Sequence, residues 1–319
     1  MLFSPTALHI PDGFLTLIVS LIFWAITLIM VGLAVSKTNK SLGEKQIPLM
    51  GVMAAFIFAA QMLNFPIAGG TSGHFLGGAL AAIVLGPWAG ILVMTAVVGV
   101  QALLFQDGGL LVMGANIFNM GILTAVIGFG LYRLVVHQKR GLRLAVAGGG
   151  AWIATMAAAL VTSLQLWLSG TTRLEIVLPA MLGVHALIGI GEGLITVAAL
   201  TYIEQTRPDL MSAEKTSREG GWGWVLGGVL ITLAAVLISP LASGNPDGLE
   251  RVAENLGFLG IGQDAPYQIL PDYTIPFLGE TALSTILAGV VGAVILMGLL
   301  ILVGRNLQRR PKVQDEIVQ

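Results

Sequence analysis

Eight apolar runs, one of them long enough for two crossings, set the plan of this chain and predict nine spans. Residues 14–35 and 47–65 form the first two. The run 74–105 is longer than one crossing and is broken at Gly86-Pro87, so it predicts two helices. Runs at 110–136, 142–168 and 176–203 follow. A polar segment, 204–221, interrupts the pattern, and two more runs close it at 222–243 and 283–303. Each is near the ~20 apolar residues needed to cross a ~30 Å hydrocarbon core. The runs are continuously apolar and lack the two-residue alternation of a membrane β-barrel. The pattern predicts an all-α polytopic membrane protein, with about seven helices in a first block and two in a second.

Composition agrees. Hydrophobic residues make up 55% of the 319 positions and charged residues only 10%, against about 25% charged in soluble domains. Mean hydropathy is +0.88. A net charge of −1 gives no basic field for nucleic acid. With no Cys, disulfides and thiolate metal sites are excluded.

Charge orients the spans. With the N-terminus outside and nine crossings, fourteen of the sixteen Lys and Arg residues fall on the cytoplasmic side. They are Lys37, Lys40 and Lys45, then Arg133, Lys139, Arg140 and Arg143, then Arg207, Lys215 and Arg218, and finally Arg305, Arg309, Arg310 and Lys312. Only Arg173 and Arg251 fall outside, as the positive-inside bias requires. The expected location is the inner (plasma) membrane, with the C-terminus cytoplasmic. The residues before the first run, MLFSPTALHIPDG, lack the charged region of a signal peptide. A long polar loop, 244–279, is expected outside. It carries Asp247, Glu250, Glu254, Asp264 and Asp272 against Arg251 alone. The boundary between the blocks is expected at 212–221.

Absent motifs narrow the chemistry. There is no GxxxxGK[ST] phosphate loop, so this chain does not itself bind ATP in that way, and no HExxH zinc motif. No catalytic constellation is visible, and no enzyme activity or cofactor is expected. Of the four His residues, His137 sits with Lys139 and Arg140 in a turn and reads as solvated. His185 and Glu192 are about two helical turns apart on one face. That spacing is too wide for one ion, and the weight falls slightly toward packing over function. His9 and His74 are distant in sequence but share the expected outer side. Gly-rich surroundings at His74, AGGTSGHFLGG, let backbone approach closely. Two such His residues are a weak signal for a metal.

Four runs sharpen that signal: HIPDGFL at 9–15, GGTSGHFLGG at 69–78, DGGLLVMGANIFNMG at 107–121 and HALIGIGEGLIT at 185–196. Together they resemble the CbiM/NikM family, the substrate-capture membrane components of energy-coupling-factor transporters for cobalt and nickel. The run SPLASGNPDGLE at 239–250 resembles the accessory component CbiN/NikN. The chain is thus similar to a fusion. It comprises a capture domain over 8–211, a linker at 212–221 and an accessory domain over 222–310.

The resemblance implies Ni(II) or Co(II) as transported substrate. It implies ligation by a free α-amine, by the amide and imidazole of a His at position two, and by a second His. In this sequence those positions are Leu8, His9 and His74. Asn116, Asn119, His185 and Glu192 are secondary candidates for the surroundings or the pathway. His9 has eight residues before it, so the chelate requires a start at Leu8 through an alternative initiation codon, or trimming after Ala7. The resemblance also implies a transmembrane coupling subunit and two cytoplasmic ATPases. An alternative is a secondary divalent-metal transporter driven by an ion gradient, which predicts paired intramembrane carboxylates, where only Glu192 is available.

Overall fold

The computed structural model describes residues 9–41, 43, 46–207 and 223–309; Leu8 and the expected linker at 212–221 lie outside the described residues. In chain order come α1 (Leu17–Ser41), α2 (Gln46–Gln61), a two-stranded hairpin of β1 (Phe65–Ile67) and β2 (Thr71–Gly73), and α3 (Gly78–Leu85). Then come α4 (Pro87–Val100), prolonged by a π-turn at Gln101–Phe105, and α5 (Met113–Ile117), which runs through a second π-turn at Phe118–Leu123 into α6 (Thr124–Arg133). Helices α7 (Arg140–Leu168) and α8 (Leu174–Thr206) complete the first block. The second block has α9 (Gly223–Ile238), the short α10 (Gly248–Leu256) and α11 (Ala282–Arg309). Among the described residues, seven helical stretches are long and apolar enough to cross a membrane; α2, with 16 residues, is a shorter apolar helix. The chain is an all-α polytopic membrane protein.

The run 74–105 does break at Gly86-Pro87. Gly86 has φ 84°, and Pro87 opens α4, where its missing N–H costs nothing. Its first half departs from the expected full helix, because α3 has only eight residues. The stretch 74–77 ahead of it is non-helical, and Gly77 turns into α3 with φ 85°. Non-helical backbone in an apolar interior leaves its amides without partners, which is costly. Here Glu192 of α8 accepts from the N–H of Leu76 at 2.6 Å and of Gly77 at 3.0 Å. Gln61 of α2 donates to the Leu76 carbonyl at 2.8 Å.

Packing follows from the sequence. The core is built on fully buried Phe58, Phe75, Phe105 and Leu80. Large apolar side chains such as Ile18, Leu28, Leu226 and Leu302 point outward, as lipid-facing residues do. The second block grips α2 with both long helices. Gly292 of α11 lies so close to Phe58 that a Cβ there would stand 2.2 Å from its ring. Small residues permit such close helix contacts in membranes. At the end of the bundle away from His9, Arg140 and Arg143 of α7 each donate to Glu204 of α8 at 2.8 Å.

The 244–279 loop folds back over the His9 end. The Ser72 N–H of β2 donates to the Pro246 carbonyl at 2.8 Å, and the Leu270 N–H donates to the Leu104 carbonyl at 3.0 Å. The PDGLE run is a helix start. Asp247 caps α10 by accepting from the Glu250 N–H at 2.7 Å, and the Glu250 carboxylate reaches back to the Asp247 N–H. This reciprocal pair satisfies amides that a helix leaves unpaired at its first turn.

Candidate metal centre

Each residue of the run HIPDG has a separate task. Asn116, in α5, clamps the Ile10 backbone with two bonds: its Oδ1 accepts from Ile10 N–H at 3.1 Å, and its Nδ2 donates to Ile10 carbonyl at 3.0 Å. The Asp12 carboxylate accepts from the N–H groups of Leu110, Leu111 and Val112 at 2.9, 2.9 and 3.2 Å. A negative charge there suits the positive start of α5. Gly13 has φ +90°, and a Cβ on it would stand 2.2 Å from the Ile261 carbonyl oxygen. Only glycine lets the 244–279 loop close on this turn, where the Gln263 N–H donates to the Asp12 carbonyl at 2.7 Å.

These contacts hold His9 in a buried position. Its Nδ1 lies 3.1 Å from the Asp107 carbonyl oxygen and 3.2 Å from Asp107 Oδ1. Its Nε2 is buried and has no hydrogen-bond partner among the described residues. The His9 and His74 rings meet edge to face, with centroids 5.7 Å apart and planes at 84°. His74 is buried, contrary to its expected place at an external loop position, because the non-helical 74–77 stretch carries it into the bundle. Its Nδ1 contacts the Phe75 carbonyl at 3.2 Å, and its Nε2 lies 4.0 Å from Asp247 Oδ2. The second block therefore supplies part of the wall.

Three residues at this site escaped the sequence reading: Asp107, Asp247 and Tyr273. Tyr273 donates its hydroxyl hydrogen to Asp107 Oδ2 and accepts from Gln101 Nε2 at 3.0 Å. Its ring stacks on Phe105 with centroids 4.8 Å apart. Asp107 and Asp247 both stood in runs matched as wholes, and both adjoin a Gly at the end of a span. That placement, on the side of His9, was the available signal.

The charges here are strongly coupled. Burial would lower the His9 pKa, but the Asp107 carboxylate outweighs it and holds His9 above its usual 6.5. Burial would likewise raise Asp107, and the His9 charge outweighs it and holds that carboxyl below 3.8. Asp247 lacks so close a cation, and burial pushes it up to about 8 against the opposing Glu250 N–H. The Asp107 contact at Nδ1 fixes the orientation of the His9 ring.

The secondary candidates lie elsewhere, apart from Asn116. Asn119 exchanges hydrogen bonds with Gln165 of α7 at 2.8 and 3.0 Å. His185 Nδ1 contacts the Met181 carbonyl one turn back at 2.8 Å, and the ring lies against Gly248. Glu192 holds the non-helical stretch through the N–H groups of Leu76 and Gly77. Among the described residues no group of three or more His, Cys, Asp or Glu side chains is arranged to hold a metal ion by itself.

The chain is similar to known proteins over both blocks. A family model described as the cobalt uptake substrate-specific transmembrane region matches residues 9–210, and a PDGLE domain model matches 222–309. A putative fused nickel transport protein of Archaeoglobus fulgidus is 38% identical, covering 92% of this chain and 96% of its own length. A probable fused nickel transport protein of Lactiplantibacillus plantarum is 32% identical, covering 73% and 74%. A crystal structure described as a truncated transition metal transporter superposes with a TM-score of 0.56 at 35% identity. It covers 62% of this chain and 98% of its own. These relatives are metal transport proteins and not enzymes. The chain belongs to the cobalt-uptake substrate-specific transmembrane family, and it carries a PDGLE domain fused behind that region.

Proposed function

We propose that this chain captures Ni(II) or Co(II) at the outer face and delivers it inward as the substrate-binding component of an ATP-driven energy-coupling-factor importer. The ligands are the α-nitrogen of Leu8, the amide and imidazole nitrogens of His9, and the imidazole of His74. One observation carries the reading: two buried imidazoles from distant parts of the chain meet, 5.7 Å between centroids. Four nitrogens in a plane give the tetragonal field that Ni(II) favours. A site that takes half its ligands from backbone nitrogen also accords with the lack of a three-side-chain cluster.

The chelate closes from the His9 amide through the nearer ring nitrogen, Nδ1. That atom faces Asp107 here, so binding releases the proton at Nδ1, and the His9 amide, which ligates only as a deprotonated nitrogen, releases its proton as well. Energy comes from partners, a transmembrane coupling subunit and two cytoplasmic ATPases. The outer placement of His9 rests on the Lys and Arg bias. A gradient-driven carrier would need an available intramembrane carboxylate, and both Glu192 oxygens accept from backbone N–H groups.

Equilibrium dialysis with radioactive nickel and cobalt tests the site. His9→Ala and His74→Gln should each lower affinity by about 100-fold or more while leaving membrane insertion intact, the Gln keeping most of the buried volume. Unchanged affinity in both variants would remove the pair from the site. Uptake in cells should need the coupling subunit and ATPases; uptake by this chain alone would favour the gradient-driven carrier.

A further inference from the structure

The 244–279 loop does more than close over the site. Between it and the first block lies a cavity of about 590 Å³. His9, Gln106 and Gly108 line it from the first block, and Glu250, Asp264 and Asp272 line it from the second. Three of its lining residues are carboxylic acids, and among the described residues no Lys or Arg lines it. His9 also lines it, with a buried Nε2 that has no partner among the described residues.

We propose that this cavity is an acidic antechamber that collects the hydrated divalent cation and passes it to His9, with Asp264, Asp272 and Glu250 as its collecting groups. The inference rests on the capture reading and adds the route and the residues that set its rate. Size supports it. A divalent ion with six waters occupies ~180 Å³, at about 30 Å³ per water, so the cavity admits the ion with its shell complete. The space between the His9 and His74 rings does not, so water is shed at that step. Carboxylates at the mouth hold the hydrated ion through its waters without committing it to oxygen ligands.

Charge supports it as well. A cleft with walls of one sign focuses the field and raises association rates by ~10–1,000-fold. The acids feel one another: partial burial first, then the charges of Asp107, Asp264 and Glu280, push Asp272 up to about 6. Asp264 and Asp272 are exposed, so their role in packing is small. Glu250 also closes the α10 cap, which makes it the wrong residue to substitute first.

The test compares the chain that starts Met-His, with Met at position 8, with its Asp264→Asn/Asp272→Asn variant, both in lipid nanodiscs with the N-terminus verified by mass. Stopped-flow mixing with Ni(II) reads association and dissociation separately. At ~0.01 M ionic strength the variant should associate about tenfold more slowly, with dissociation unchanged. At ~1 M salt, where the Debye length is ~3 Å, the deficit should fall below about twofold. Asp264→Lys should slow association further. Equal association rates at low salt, or a deficit that salt does not change, would overturn the antechamber. Wild-type protein that binds neither Ni(II) nor Co(II) would overturn the capture reading instead.

Discussion

Tyr273 and Asp107 come from different blocks of the chain, yet the Tyr273 hydroxyl donates to Asp107 Oδ2 while Asp107 Oδ1 faces His9 Nδ1 at 3.2 Å. The PDGLE domain thereby touches the His9 imidazole through one carboxylate. The contact is anchored by stacking of Tyr273 on Phe105 and by the approach of Phe58, 5.9 Å between ring centroids. Such aromatic pairs contribute ~0.5–1.5 kcal/mol each beyond the area they bury.

This relay gives two substitutions with opposite signs. Asp107 holds the His9 pKa above 6.5, so His9 keeps its proton to higher pH, and the ion must displace it. Metal binding should weaken as pH falls through that raised pKa. Asp107→Asn should move the midpoint of the binding-versus-pH curve down by about one unit or more. Tyr273→Phe removes a hydrogen bond that stabilises the Asp107 carboxylate, which strengthens its hold on the His9 proton and moves the midpoint up. Dialysis across pH 5.5 to 8.5 measures both. Shifts in the same direction would mean that the variants merely loosen the site.

Glu192 is predicted to be a structural acceptor. Glu192→Gln leaves one acceptor oxygen for two N–H groups, so one buried amide loses its partner at a cost of ~1–3 kcal/mol. Thermal unfolding should show that loss. Metal affinity should fall only as far as the displaced 74–77 stretch misplaces His74. Full stability with abolished uptake would assign Glu192 to the ion pathway.

Much of this fold is legible in the sequence because lipid-spanning helices need long apolar runs, and Gly86-Pro87 marks a break by backbone chemistry alone. The half-length third segment is not. The residues around it, GHFLGGALAAIVL, are as apolar as a helix, and the partner that satisfies the amides of the non-helical first part is Glu192, more than a hundred residues later. His9 and His74 were marked as candidates by their shared side and their motifs. Asp107, Asp247 and Tyr273 were not, since their partners lie at the far end of the chain. The Asp-x-x-Glu spacing in PDGLE is a capping pattern that could have been read directly.

Asp247 yields a stability prediction. Its pKa rises from about 3.9 in the unfolded chain to about 8 in the fold. The folded state therefore binds the extra proton, and stability is lost as pH rises from about 4 to about 8. Asp247→Asn keeps a capping side chain and abolishes the titration. The melting temperature of the variant relative to the wild type should rise with pH across that interval. A constant difference would show that Asp247 does not titrate there.

The chain start gives a chemical prediction, because the proposed amine and amide ligands work only when one residue precedes His9. Intact mass from the native host should correspond to a chain beginning at position 8, read as Met or trimmed to Leu. Protein forced to keep residues 1–7, with an unambiguous Leu codon at position 8, should bind Ni(II) at least ~100-fold more weakly. A chain starting Met-His should recover full affinity. Equal affinity in the long and short forms would sink the amine chelate and leave the two imidazoles to act with other partners.

Fusion changes what the docked loop can do. The PDGLE domain meets the first block at Gly13, Ser72, Asp107 and Leu104, and it is tethered to them within one polypeptide. Tethering supplies an effective concentration on the order of 1 mM. An interface with an intrinsic dissociation constant of ~0.1 mM would then stay about nine-tenths seated. Stoichiometry is locked at one accessory domain per capture domain, whatever the expression level. Opening of the chamber must therefore come from local breathing of the 244–279 loop on its seat, and not from exchange of a separate subunit.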